Sequence, residues 1–240
     1  MFVGSDRKLV NCNEYLCVLS QDNIALDNVE VEKLLGIHID KNLSWSIQID
    51  KICETISTRI YLLKRLKRYL PLKGLILFYN SYILPIIDYC CTVWGLTTHI
   101  NLERIHKLQK RAARLVLSVS FDFPSTVMFK KLAWMTIFTR IHYFQAVLMF
   151  KCMNGLAPDY LSIKFTACAD LYNYCLRSTT SGLLHVPRPN SDFFKRTFKY
   201  SGLITWNNLP NNIKEIDNLD TFKTNCSNYF LTEQNKDARN

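Results

Sequence analysis

Ile49, Ile52, Ile56, Ile60, Leu63, Leu66 and Leu70 recur at steps of three and four residues, and this spacing constrains the fold more than any other feature of the chain. Residues at that period share one face of an α-helix. The stripe therefore predicts one long amphipathic helix, with Ser44 as its N-cap and an end before Pro71. Such a helix is stable only if its apolar face packs against other elements. The rest of the sequence supplies them. A second helix is expected from about Leu72, bent at Pro85, whose ring removes a backbone donor. A third should begin after Asn101 as cap and carry the stripe Leu102, Ile105, Leu108, Ala112 and Leu115. A fourth runs from about Ile137 to Met153 and is closed by Asn154-Gly155, since glycine tolerates the left-handed turn after a helix. Pro158-Asp159 starts a short further helix, and others are expected near Gly202 to Asn208 and Asn218 to Leu231. Glu233 to Asn240 is polar and expected to fray.

Strand signals cluster in the first forty residues. Met1 to Gly4, Cys17 to Ser20 and Val29 to Glu32 read as brief strands between turn residues, and Leu34 to Asp40 as the best strand of the chain. This region is too small to make a sheet with its own core and reads as the edge of something larger. Residues 165 to 200 are mixed, with weak strand signals from Leu183 to Pro187 and a turn at Pro189-Asn190-Ser191. Only 7 Gly and 7 Pro in 240 residues argue against a loop-rich all-β protein. The expected class is mainly α (α+β): a small N-terminal strand region, a helical bundle, then a mixed C-terminal part. The most apolar stretch, Leu75 to Ile87, falls short of the ~20 residues that a bilayer span needs, so it reads as a buried helix and no membrane role is expected. Met1-Phe2-Val3-Gly4-Ser5 runs straight into Asp6-Arg7-Lys8 without a secretory leader, and the nine cysteines are an odd number. Both features fit reduced thiols in an intracellular chain, cytoplasmic or nuclear and not secreted.

Thirty Lys and Arg against 20 acids give a net charge of +10, which raises the odds of a polyanionic partner. The excess is concentrated. Lys51, Arg59, Lys64, Arg65, Lys67 and Arg68 stand against one acid, Glu54, between positions 51 and 68. Between 104 and 114 there are five basic residues and no acid, of which Lys107, Lys110, Arg111 and Arg114 share one helix face opposite the leucines. The plain reading of such runs is a solvated helix face. The functional reading is sequence-independent contact with nucleic-acid phosphates by these ten residues.

Motifs for chemistry are scarce. A two-metal polymerase holds its cations about 3.5–4 Å apart between paired carboxylates, and no Asp-Asp pair occurs in the sequence. Asp88, the one acid inside an apolar stretch, reads as a structural hydrogen-bonding residue. Cys12 with Cys17, and Cys168 with Cys175 and His185, lack the tight spacing of a zinc knuckle, and Cys90 and Cys91 should point to different sides of a helix. No metal site is expected. Glycine-rich phosphate loops and nucleophile elbows are missing, and His106 reads as a surface residue of the basic helix.

Four blocks nevertheless form a pattern. Val29 to Trp45 contains Lys33-Leu34-Leu35-Gly36, then Asp40, Leu43 and Trp45. It resembles the segment following the catalytic palm in reverse transcriptases of non-LTR (LINE-type, jockey-like) retrotransposons, "K-Y-L-G-V-x-x-D-x-x-L-x-W", with Leu34 where that pattern has Tyr. Tyr82 to Gly95 resembles the family's second thumb helix, and Leu102 to Val116 its next element. Arg196 to Pro210 is similar to its tail, "R-S-F-x-Y-x-G-x-x-x-W-N-x-L-P". The four blocks occur in the family's order and cover about residues 1 to 231. The resemblance implies a remnant of palm strands in residues 1 to 43, a thumb-like helical domain in 44 to 120 and a C-terminal extension in 121 to 240. It implies further that the catalytic aspartates and their Mg2+ ions belong to a palm upstream of Met1. The chain by itself is then expected to be inactive as an RNA-directed DNA polymerase, to need no cofactor and to bind RNA–DNA hybrid or RNA. Self-association through the surface left by the palm is a further expectation. The alternatives are a helical protein-interaction module and a non-functional truncated product.

Overall fold

The computed structural model describes residues 1, 3–4, 29–168 and 183–237. The expected strand at Cys17 to Ser20 and the cysteines at 12, 17 and 175 lie outside them. The described chain is mainly helical with one small sheet. That sheet corrects the strand reading. Leu34 to Asp40 is not one strand but the corner of a hairpin, in which β1 (Val31–Leu34) pairs antiparallel with β2 (Ile37–Asp40), Leu34 opposite Ile37. The two turn residues both take positive φ, 48° at Leu35 and 83° at Gly36, as the tightest hairpins require. Leucine is a poor residue for that conformation, so sequence pattern alone does not reveal the turn. The Tyr89 hydroxyl holds it from outside, donating to the Leu35 carbonyl at 2.7 Å.

Helix α1 spans Ser46–Leu66, starting one residue later than Ser44 as N-cap would place it and ending at Leu66, short of Pro71. Trp45 stands at its start in the left-handed region, φ 64°. No side chain caps its first turn in the usual way; Asp40, nearly buried, fixes the approach instead, its carboxylate accepting the N–H groups of Ser44 and Trp45 at 2.8 Å each. Two charge-assisted bonds of this kind are worth roughly 3 kcal/mol together. The anchor residues of the first resemblance block, Gly36, Asp40 and Trp45, are thus a turn former, the carboxylate that fixes the turn into α1 and a buried core residue.

The stripe performs as its spacing predicts. Ile49, Ile52, Ile56, Ile60 and Leu63 are buried, while Leu66 and Leu70 beyond them are half-buried. Next come α2 (Leu72–Phe78), a π-helical turn (Tyr79–Ile83) and α3 (Leu84–Asp88). The break in the ladder falls one turn before Pro85 and accommodates its missing donor. The chain then reverses at Cys90, φ 51°, into α4 (Cys91–Trp94), so the two cysteines straddle a break and not one continuous helix.

Helix α5 (His99–Leu117) begins before Asn101, because Thr98 is its cap and accepts the Asn101 N–H. Asn101 is inside the helix, donating to Thr97 Oγ1 at 2.9 Å and Ser46 Oγ at 3.4 Å. Of the stripe expected on α5, Leu102, Ile105 and Ala112 are buried, whereas Leu108 and Leu115 are half-buried because the face takes in Gln109, Ala113 and Val116 in their place. Gln109 joins three elements. Its amide donates to the Tyr79 hydroxyl and its oxygen accepts the Ile137 N–H at 2.8 Å. Helix α6 (Ser125–Leu132) was not foreshadowed in the sequence. Helix α7 (Ile137–Met153) matches its predicted span, closed by Gly155 at φ 66°.

Helix α7 carries two cores. Ile137 and Ile141 belong to one that includes the α1 stripe, Trp94 and Ile105. Ala146, Met149 and Phe150 belong to another, with Leu203, Trp206 and Phe222. Around the second lie α8 (Asp159–Ser162), α9 (Asp192–Lys195), α10 (Phe198–Asn207), α11 (Asn211–Lys214) and α12 (Leu219–Asp237). In place of the strand signal at Leu183 to Pro187 there is a single bridge, Ala167 to Leu184. Asn207 completes it as a strand would, accepting the Leu184 N–H and donating to its carbonyl at 2.8 Å. Gly202 leaves room for α10 against α7, since a Cβ there would stand 3.1 Å from Met149 Sδ. Glu233 to Asp237 continues α12 and does not fray there: Gln234 accepts the Thr136 N–H at 2.8 Å and donates to the Trp134 carbonyl at 3.0 Å.

Candidate nucleic-acid interface

Helices α1 and α5 run side by side in the same direction. Asp50 pairs with Arg104 at 2.5 Å near their starts, and Leu115 stands beside Tyr61 and Lys64 near their ends. Every basic stretch singled out in the sequence lies on this pair or just past it, but the ten residues are not one surface.

Lys51 and Arg59 line a groove on the hairpin side of α1, with Gly36, His38 and Tyr89. Arg59 is engaged there, donating to the Tyr82 carbonyl with its guanidinium 4.0 Å from the Tyr82 ring centre. Lys51 bridges Glu54 at 3.0 Å. Lys110 pairs with Glu103 at 3.2 Å. Arg114 donates to the Phe121 carbonyl at 3.1 Å and covers that ring.

The other six are different. Among the described residues, no ion pair involves Lys64, Arg65, Lys67, Arg68, Lys107 or Arg111. The first four share a groove of about 660 Å³ at the end of α1, closed on the α5 side by Leu115. Lys107 and Arg111 are exposed on the outer face of α5, as their spacing predicts. Cations in a last helical turn also complement the helix dipole, typically by 0.3–1 kcal/mol each. That dipole amounts to about half a negative charge, so four cations leave the groove positive.

Two groove residues were missed. Tyr61 is 61% exposed and Tyr69 81% exposed, and both line it. The signal was present in Tyr61-x-x-Lys64-Arg65-x-x-Arg68-Tyr69, where aromatics alternate with cations at helical steps.

The remaining candidates are structural. Asp88 forms a two-pronged pair with Arg140, whose Nη2 donates at 2.6 Å. His106 is no surface residue; its ring sits between Phe129 and Phe138. Burial, and secondarily Lys110, pushes its pKa down to about 4. The unfolded chain then binds a proton that the folded chain refuses as pH falls from about 6.5 to about 4. Stability should fall over that window by at most ~3 kcal/mol, and His106→Phe should flatten the fall in urea unfolding curves. The thiols of Cys91 and Cys226 are pushed up to about 12 by burial, which leaves them unreactive. Among the described residues no group of three or more His, Cys, Asp or Glu side chains could hold a metal ion, and no helix is long and apolar enough to cross a membrane.

No family model matches the sequence, and no solved structure matches it. Among curated proteins the chain is similar to a probable RNA-directed DNA polymerase from transposon X-element of Drosophila melanogaster, 23% identical over 124 residues. The match takes in 50% of this chain and 14% of that protein, so the chain corresponds to a small part of its relative's length. The similarity relates the chain distantly to the reverse transcriptases of transposons.

Proposed function

We propose that this chain is the thumb and C-terminal extension of a reverse transcriptase of the non-LTR, LINE-type kind, and that it holds nucleic acid without supplying polymerase chemistry. The observation that carries the reading is the groove at the end of α1, where Lys64, Arg65, Lys67 and Arg68 form no ion pair among the described residues. Unpaired cations at a helix end meet phosphates without reading bases, releasing the counterions condensed on the nucleic acid. Lys107 and Arg111 add two exposed cations on the neighbouring helix α5. The four sequence blocks support the family, as does the distant transposon relative. Polymerisation requires carboxylates that hold two metal ions, and no step through magnesium is assigned to the described residues. A second reading, a protein-interaction module, is favoured by one observation: Leu34 and Leu35 are exposed at the hairpin corner.

The test is binding of mixed-sequence RNA–DNA hybrids by fluorescence anisotropy, together with primer extension. The expected result is one affinity for all sequences and no nucleotide incorporation. Absence of binding at micromolar protein would remove the nucleic-acid reading, and template-dependent incorporation would overturn the assignment of chemistry elsewhere.

A further inference from the structure

We infer that the groove at the end of α1 is a single-strand site, in which Tyr61 and Tyr69 stack bases while the cations between them hold the backbone; this rests on the nucleic-acid reading above. Duplex phosphates need only cations. Exposed rings are a different provision, since every unpaired base has a face that stacks on an aromatic side chain, whereas paired bases are already stacked on each other. Tyr61 and Tyr69 are exposed and line the same groove as Lys64, Arg65, Lys67 and Arg68. Helix α1 ends at Leu66, and the chain goes on in tight turns, with the N–H of Arg68 bonded to the Arg65 carbonyl and that of Tyr69 to the Leu66 carbonyl. Tyr61, Lys64 and Arg65 follow steps of three and four along α1, and Lys67, Arg68 and Tyr69 stand in the turns that follow it, so the cations lie between the two rings along the chain. Neither ring makes a cation–π or aromatic contact within the described residues. Compare Tyr82, which is covered by Arg59.

The experiment measures binding of a mixed-sequence single-stranded RNA, and of the same strand annealed to its complement, by the full chain and by Tyr69→Leu and Tyr61→Leu. Both substitutions lie on the exposed surface, and a thermal melt checks that folding is retained. The expected result is tighter binding of the single strand, weakened roughly tenfold by Tyr69→Leu, with duplex binding unchanged. Equal affinity for both forms, insensitive to either tyrosine, would overturn the inference and leave the broader phosphate-binding reading standing. No binding of either form would overturn both. Binding of phosphatidylserine vesicles with the same loss in Tyr69→Leu would assign the groove to a membrane surface and overturn the inference.

Discussion

Converting Lys64, Arg65, Lys67 and Arg68 to glutamate is expected to weaken nucleic-acid binding roughly a hundredfold or more at 0.1 M salt while leaving the fold intact. Each phosphate engaged contributes a counterion-release term of about 0.7–0.9 in the salt exponent, and four are removed together. Reversing the sign also sets like charges against the backbone within a Debye length of about 10 Å. The fold should tolerate the change because none of the four takes part in an ion pair among the described residues. The only foreseeable loss is the interaction with the α1 dipole, about 0.3–1 kcal/mol per residue. The control is Lys51→Glu with Arg59→Glu, which lies in the other groove. Binding measured by anisotropy should fall far less there. Equal losses in the two variants would mean that overall charge, and not the groove, carries the affinity.

The largest expected effect on stability is at Arg140. Its two-pronged pair with Asp88 is mostly shielded from water, the side chains 18% and 24% exposed. Arg140→Leu leaves the Asp88 carboxylate there without its partner, and breaking a buried pair from one side costs about 3–5 kcal/mol. For a domain with a total of about 5–15 kcal/mol, that loss is a large fraction. Arg140→Leu combined with Asp88→Leu removes both charges and should recover much of the loss. Denaturant unfolding of the single and double variants measures the coupling. A double variant as unstable as Arg140→Leu alone would mean that packing, not the charge pair, holds α3 to α7.

The helical skeleton was legible wherever the apolar period was long. The α1 stripe and the span of α7 follow from spacing alone, because each contributes a continuous buried face. Local turn chemistry was less legible where tertiary contacts override it. Leu35 adopts a left-handed turn with the Tyr89 hydroxyl bonded to its carbonyl, from 54 residues away in sequence. The N-cap position of α1 falls on Trp45, held by Asp40, and not on Ser44, and that of α5 falls on Thr98 and not on Asn101. The tail is ordered at Gln234 by two bonds to backbone near residue 135, invisible to any local pattern. At the candidate site, composition marked the helices that carry the cations but not which of them share a groove. Arg59 and Lys51 face the hairpin groove, and Lys110 and Arg114 have partners. What sets the remaining cations apart is a three-dimensional fact, that none of them forms an ion pair among the described residues. Tyr61 and Tyr69 could have been read from the alternation of rings and charges, had exposure been known.

The central claim is that the end of α1 grips nucleic acid through unpaired cations. It is tested most directly by the affinity for a mixed-sequence single-stranded RNA as salt is raised from 50 to 200 mM. Four engaged phosphates predict a slope of log affinity against log salt of about −3, and the four-glutamate variant should show almost none. A wild-type affinity that does not change across that range would contradict the claim.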